Sequence, residues 1–169
     1  MRVTIIVLLL VSFMGALAPA PALADGGKGV TAIVTVNAPQ VRCWDVIIAQ
    51  RTAEPDKRKI ISQEGEKTVM KETYDNLPII GDAYLEYEEV ATPHTTLEAH
   101  LVKSDKFKAF DSKWTLAPTA DGKGTTISLY TYLNTGLWIP FAQQITNRNT
   151  RQDITERLEF IKKLAEAAK

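Results

Sequence analysis

The segment after Pro140 constrains the fold more than any other part of the chain. Its second half has apolar residues that recur three or four positions apart, at Ile154, Leu158, Ile161, Leu164, Ala165 and Ala168. This spacing predicts a helix with one apolar face, with charged residues such as Glu156 and Lys163 on the other face. Several strand-like stretches precede it, so the simplest partner for the apolar face is an antiparallel sheet.

The first half of the same segment is polar where the second half is apolar. Extended backwards at helical spacing, the apolar face meets Thr150 or Arg151, then Asn147 and Gln143. A dry core excludes such side chains. Two interpretations follow: this half extends into solvent, or it forms the polar-lined mouth of an interior space.

The N-terminus has the three parts of a cleavable secretory signal peptide. Met1 and Arg2 give a positive start, Val3 to Leu17 is almost entirely apolar, and Ala22 and Ala24 are the small residues of a cleavage site at Ala22-Leu23-Ala24. The apolar run is shorter than the roughly 20 residues that span a bilayer. The cleavage point has no cysteine, so the sequence does not predict a lipid anchor there. We expect cleavage after Ala24 and a periplasmic or secreted protein.

The remaining residues 25–169 are predicted to form a single domain. This length supports one sizeable core, and no internal repeat suggests a second domain. Without Arg2, the chain has 19 basic and 20 acidic residues. This balance gives no excess of positive charge that would predict nucleic-acid binding. The only cysteine, Cys43, cannot form an internal disulfide and is predicted to be a buried apolar residue.

The order of predicted elements is a strand, a helix, six further strands and the final helix. The first strand is Val30 to Val36, and a helix start signal follows at Asn37 and Pro39. The polar stretch from Arg51 to Arg58 predicts a second short helix or a turn. The later strands are predicted at Lys59 to Gln63, Lys67 to Tyr74, Asp82 to Val90, Thr95 to Lys103, Phe107 to Ala117 and Thr125 to Asn134.

Alternation along these strands predicts which face of the sheet is covered. Side chains two positions apart share a face, and the apolar sets are Ala83, Leu85 and Tyr87; Leu97, Ala99 and Leu101; Phe110, Ser112, Trp114 and Leu116; and Ile127, Leu129, Thr131 and Leu133. The opposite faces carry polar residues such as Glu88 and His100. One face is therefore predicted to be wet and the other covered.

Three stretches of the sequence resemble the START-like superfamily, which also includes birch-pollen-allergen-like proteins and polyketide cyclases. They are the tryptophan strand from Trp114 to Pro118, the glycine turn and threonine-led strand from Gly122 to Leu129, and the run from Leu133 to the Ile139-Pro140 pair before the final helix. The stretch from Leu77 to Asp82 is similar to the proline loop of START domains. The resemblance implies an α+β helix-grip fold: a seven-stranded curved antiparallel sheet wrapped on a long C-terminal helix, with two short helices after the first strand.

This resemblance implies a pocket between the sheet and the final helix that binds a lipid, sterol or isoprenoid. The predicted wall residues are Leu85, Tyr87, Leu97, Trp114, Ile127, Leu129, Leu133, Phe141 and Ile145. The resemblance also makes Leu77, Ile79 and Ile80 a gate that contacts a membrane transiently during ligand exchange. The alternative is that these three residues pack as ordinary core.

Groups capable of catalysis are few. His94 and His100 are best explained as solvated side chains, and no residue spacing predicts a metal or cofactor site. Tyr87 has inward parity, and Glu89 either points inward with a raised pKa or lies at the exposed rim.

Three functions remain open from the sequence. The first is a carrier or binding protein for a hydrophobic small molecule, without covalent chemistry. The second is a cyclase or dehydratase in which Tyr87 and Glu89 are the acid and base. The third is a protein-interaction module with a collapsed pocket.

Overall fold

The computed structural model describes residues 28–77 and 79–167. The predicted signal peptide, residues 1–24, lies outside these ranges. The elements in chain order are β1 (Val30–Val36), α1 (Gln40–Gln50), β2 (Arg58–Glu64), β3 (Lys67–Leu77), β4 (Gly81–Thr92), β5 (Thr96–Ser104), β6 (Ala109–Pro118), β7 (Thr125–Asn134) and α2 (Ala142–Ala167).

The seven strands form one antiparallel sheet in the order β1-β7-β6-β5-β4-β3-β2. Every strand pairs with its neighbour in sequence except β1, which pairs with β7 at the far end of the chain. Register shifts interrupt the β2–β3, β3–β4 and β4–β5 ladders. Because such irregularities bend a strand, this side of the sheet curves around the space beneath α2. The predicted seven-stranded helix-grip architecture is confirmed.

The C-terminal half of α2 covers the sheet directly. Its buried residues are Ile154, Leu158, Ile161 and Ala165, which pack mainly on β1 and β7 and join a cluster that includes buried side chains of α1. Leu164 is half-buried, and Ala168 lies outside the described residues. The helical spacing at 154–165 therefore has the packing role that the sequence predicts.

Helix α1 closes the same end of the sheet. Cys43, Trp44 and Ile47 form its buried face. The side chain of Gln40 donates hydrogen bonds to the backbone oxygens of His94 (2.6 Å) and Leu116 (3.2 Å), which fixes the start of the helix on the sheet.

Of the two structures predicted for Arg51 to Arg58, the turn is the one that forms, and the second short helix that the resemblance implies is not present there. Residues 51–57 form turns, and the backbone N–H groups of Lys57 and Arg58 both donate to the oxygen of Glu54. Pro55 lacks the N–H group that a helix interior needs, and its neighbours 52–57 are all exposed. Since no apolar face stabilises a helix here, the turn is the lower-energy structure.

Candidate functional site

A cavity of about 210 Å³ lies between the concave face of the sheet and the N-terminal half of α2. Two rows of side chains cross the sheet beneath it. In one row Leu97 lies opposite Trp114, which lies opposite Leu129. In the other row the neighbours are Glu89, Ala99, Ser112 and Thr131. The floor of the cavity is therefore one apolar row beside one partly polar row.

Seven of the residues that the sequence placed at the wall or gate line this cavity: Leu77, Ile80, Tyr87, Leu97, Trp114, Leu129 and Leu133. Five others do not. Leu85 and Ile127 point to the covered face but are completely buried in the two core clusters. Phe141 is 70% exposed, Ile145 39% and Ile79 61%. Phe141 and Ile145 therefore face solvent where the resemblance implied wall positions, whereas the exposure of Ile79 is compatible with a gate and not with ordinary core packing.

The N-terminal half of α2 forms a polar roof over the cavity. Thr146, Asn149 and Thr150 line it. The side chain of Gln143 is partly buried and donates to the oxygen of Leu133 (3.0 Å) and to Oδ1 of Asn147 (2.8 Å). The bond to Leu133 anchors the helix to the end of β7, and the bond to Asn147 lies within α2. The polar side chains on the sheet-facing side of this half, such as Thr146 and Thr150, therefore lie at the mouth of an interior space, whereas Gln144 and Arg148 are exposed.

Two buried carboxylates lie on the concave face, on the neighbouring strands β3 and β4 but four residues apart in register, because Glu72 lies opposite Leu85 and Glu89 lies opposite Thr68. Glu72 of β3 is 5% exposed and Glu89 of β4 is 6% exposed. Buried carboxylates are costly unless charges and hydrogen bonds compensate them. Each therefore requires a partner from elsewhere in the fold, and arginines provide both.

Glu72 is fully engaged. Its Oε1 lies 2.6 Å from Nη2 and 2.7 Å from Nε of Arg58, and its Oε2 accepts a hydrogen bond from the hydroxyl of Tyr87 at 3.3 Å. Burial opposes the charge of Arg58, but Glu72 outweighs it and raises the guanidinium pKa. Burial, together with Glu72, raises the pKa of Tyr87, so this phenol is a hydrogen-bond donor at neutral pH.

Glu89 is less completely satisfied. Its Oε2 lies 2.7 Å from Nη2 of Arg51, yet neither Oε2 nor the buried Nε of Arg51 has a hydrogen-bond partner within the described chain. Burial raises the pKa of Glu89, although Arg51 opposes the shift. The structure excludes the exposed-rim position for Glu89, because the turn at residues 51–57 brings Arg51 over the strand.

A second cavity of about 270 Å³ lies between α1, the turn that follows it and the C-terminal half of α2. Its wall is largely charged, with Arg51, Arg58 and Arg157 among the lining residues. Residues common to both cavities are Tyr87, Glu89, Leu97, Trp114, Asp153 and Arg157. The buried charges therefore form a wall between the two spaces.

Exposed apolar side chains lie near the mouth of the first cavity, in the segment between β7 and α2. Trp138 is completely exposed, and Leu137, Ile139 and Phe141 are exposed as well. In the β3–β4 turn Leu77 and Ile80 pack on the second core cluster, whereas Ile79 faces solvent. Pro78 lies outside the described residues. The predicted gate is thus divided between packed and exposed positions.

The remaining reactive groups lie away from the cavities. His94 is an exposed turn residue, and Nδ1 of His100 lies 2.8 Å from Oδ1 of Asp111 on the outer face. Cys43 is completely buried, and burial raises its thiol pKa. Within residues 28–77 and 79–167, no cluster of three His, Cys, Asp or Glu side chains is arranged to hold a metal. Neither described helix has the length and apolar character of a bilayer-spanning segment.

Sequence reasoning missed Glu72, Phe107, Phe110, Arg157 and Asp153 as lining residues. The alternation of Thr68, Met70 and Glu72, all buried on β3, was a usable signal for the first of these. No signal in the sequence indicated that Arg157 lines the cavity, because its position depends on how α2 crosses the sheet.

The shape of the chain matches solved structures closely. The aromatase/cyclase Zhui from Streptomyces sp. R1128 matches with a TM-score of 0.68 at 15% identity, over 81% of this chain and 92% of that one. A START superfamily protein from Mycobacterium smegmatis matches with a TM-score of 0.67 at 11% identity, over 83% and 98%. The chain has a START-like fold. The START-like fold also matches Ara h 8.0201, with a TM-score of 0.53 at 18% identity over 81% and 93%.

No protein-family model matches the sequence, and no curated protein matches it by sequence. The START-like assignment therefore rests on the arrangement of the sheet and helices.

Proposed function

We propose that this START-like domain binds a hydrophobic small molecule of the lipid, sterol or isoprenoid class in the first cavity. The observation that carries the proposal is the partly open cavity between the concave sheet and α2, lined by Leu97, Trp114 and Leu129 among others. Burying apolar ligand surface there contributes about 25 cal/mol per Å², and the polar roof and Tyr87 orient the ligand.

The proposal extends to location and delivery. With residues 1–24 as a cleavable signal peptide, the domain works in the periplasm or outside the cell. Mass measurement of the exported protein tests this, since cleavage after Ala24 leaves a chain that begins at Asp25. The exposed Trp138 and Phe141 near the mouth suit a transient membrane contact, because aromatic side chains favour the bilayer interface. Such a contact would let the ligand pass without crossing water.

The first test is mass spectrometry of an organic extract of the protein, purified without detergent from its native compartment. A stoichiometric lipid, sterol or isoprenoid is expected. An empty extract, together with no binding of the fluorescent apolar probe phenylnaphthylamine, contradicts the proposal.

A cavity-filling variant tests the location. Ser112 lines the cavity on β6, so Ser112→Leu is expected to weaken phenylnaphthylamine binding at least tenfold, because its side chain occupies ligand space. Ser128→Leu is the matched control, since Ser128 has the opposite parity to the cavity-lining Leu129 and Thr131 on β7. Equal weakening by both variants would place the probe elsewhere.

A second candidate function is a cyclase or dehydratase on a hydrophobic substrate. It is favoured by Glu89, which is buried at the cavity wall, has a raised pKa and lies near the Tyr87 hydroxyl. A carboxyl with a raised pKa suits acid–base work near neutral pH. The Zhui similarity is in line with this chemistry on this fold. If the domain is an enzyme, Glu89→Gln abolishes turnover and keeps substrate binding.

A protein-interaction module with a collapsed pocket is not favoured. That function required the concave face to be filled by the protein's own side chains, and the first cavity leaves about 210 Å³ open there.

A further inference from the structure

The buried wall between the two cavities has an excess of positive charge. Three guanidinium groups contribute to it, from Arg51, Arg58 and Arg157, whose side chains are 14%, 20% and 29% exposed. Only two carboxylates are equally buried, those of Glu72 and Glu89. A low-dielectric wall with one surplus cation attracts an anion.

Acidic groups at the edge of the second cavity do not cancel this excess. Glu54 and Asp153 line that cavity, but their side chains are each 62% exposed. Glu54 lies 3.2 Å from Nζ of Lys57. Glu156 is also exposed and accepts a hydrogen bond from Gln152. Water screens charges in such positions, so they compensate a buried cation weakly.

Arg157 is the surplus cation. Arg58 and the Tyr87 hydroxyl already occupy both oxygens of Glu72, and Nη2 of Arg157 comes only to 3.7 Å from that carboxylate. Its other acidic neighbour, Asp153, lies 3.5 Å away. Both separations exceed those of a strong charge-assisted hydrogen bond. Arg157 therefore keeps donor capacity, and it lines both cavities.

The same wall contains a second unsatisfied group. Oε2 of Glu89 is buried without a hydrogen-bond partner in the described residues, and the side chain of Glu89 is 8% exposed. Nε of Arg51 is in the same condition. Buried polar atoms of this kind are rare in folded proteins. The Nε–H of Arg51 can donate to an anionic ligand group, whereas Oε2 of Glu89 only accepts and already lies 2.7 Å from Nη2 of Arg51. Arg51 and Arg157, which both line the second cavity, thus offer donors to one anionic group.

We infer that the two cavities form one site for an anionic amphiphile, with its apolar body in the first cavity and its negatively charged group on Arg157 at the shared wall. This inference rests on the proposed function and narrows its ligand class. Selection for the anion comes from the guanidinium group, and affinity comes from the apolar rows of the sheet.

The test uses two fluorescent probes that differ by one sulfonate group, anilinonaphthalene sulfonate and the neutral phenylnaphthylamine. The purified protein is expected to bind the sulfonate about tenfold more tightly, the effect of one charge-assisted hydrogen bond. Arg157→Gln should remove that tenfold preference by weakening the sulfonate far more than the neutral probe. Arg148→Gln, which removes an exposed cation from the same helix, should change neither affinity.

The possible failures are distinguishable. If the unmodified protein binds both probes equally, or if Arg157→Gln weakens both alike, the anionic site is overturned while hydrophobic binding stands. If neither probe binds, the proposed function fails and the inference fails with it. Because the comparison of probes on the unmodified protein needs no substitution, it decides the question even if Arg157→Gln unfolds. Arg157→Lys, which keeps the charge, should restore part of the preference.

Discussion

The two halves of α2 contact the same sheet in different ways. The C-terminal half places Ile154, Leu158 and Ile161 directly on β1 and β7 and leaves a dry core. The N-terminal half places Thr146 and Thr150 above the sheet and leaves a cavity. One straight helix cannot follow a curved sheet along its whole length. The sequence of α2 changes from polar to apolar where the helix meets the sheet.

The largest effect on stability is expected from shortening a buried side chain in the C-terminal half of α2. Leu158 is 2% exposed, so Leu158→Ala should lower the free energy of unfolding by about 2–5 kcal/mol, through lost burial and the void left behind. Thr150→Ala, in the half above the cavity, should change it by less than about 0.5 kcal/mol. Urea unfolding measures both. Similar losses at the two positions would break the distinction between the halves.

The next largest effect on stability is expected at the buried ion pair between Arg51 and Glu89. Arg51→Met leaves Glu89 buried beside the cavities without its opposite charge, and we expect a loss of about 1–3 kcal/mol at neutral pH. Lys57→Met removes an exposed cation from the same turn and should have almost no effect, because Lys57 is 59% exposed in its pair with Glu54. If the two variants unfold at the same urea concentration, Arg51 does not compensate Glu89.

The pH dependence of stability tests the same buried carboxyl of Glu89. Burial raises the pKa of Glu89 above 4.5, so the folded protein holds this proton to higher pH than the unfolded chain does. Stability should therefore fall as pH rises from about 4.5 to the raised pKa, by about 1.4 kcal/mol for each unit of difference.

Glu89→Gln lacks this component, so its stability relative to the unmodified protein should rise across that interval. Glu88→Gln is the control, because Glu88 lies on the outer face and its side chain is 38% exposed. Thermal unfolding between pH 4 and pH 8 compares the three proteins. A Glu89→Gln profile parallel to that of the unmodified protein would show that the carboxyl titrates normally.

The smallest effect on stability is expected just before α2 begins. Trp138 is fully exposed, so Trp138→Ala should change the free energy of unfolding by less than about 0.5 kcal/mol. It should nevertheless reduce sedimentation with phosphatidylcholine vesicles if this end contacts a membrane. Phe160→Ala, at an exposed aromatic residue in the other half of α2, should leave sedimentation unchanged. Equal reductions would assign the binding to general hydrophobicity.

The strands and their inward faces could be predicted because the signals are local. Alternation identified the cavity side of Leu97, Trp114 and Leu129, and the final helix was evident from its spacing. Alternation gives the side of the sheet but not the depth, so Leu85 and Ile127 were assigned to the wall although both are buried beyond it.

The buried charges could not be predicted from local patterns. Glu89 is near the end of its predicted strand, which favours exposure, and its partner Arg51 is distant in sequence. Only the fold brings the turn at 51–57 over β4. The position of Arg157 could not be predicted for the same reason. It lies on α2, and its neighbours Glu72 and Tyr87 come from two different strands, β3 and β4.

The pairing of β1 with β7 also determines when the protein can fold. Val30 faces Thr131 across that ladder, and the backbone N–H of Asn37 donates to Oε1 of Glu166 at 2.8 Å. The first strand therefore has no partner until nearly the whole chain is present. Such distant contacts carry a large loop-closure entropy and slow the folding reaction. The strands β2 to β6 can pair with their sequence neighbours earlier, so β1 is the strand whose pairing waits for β7.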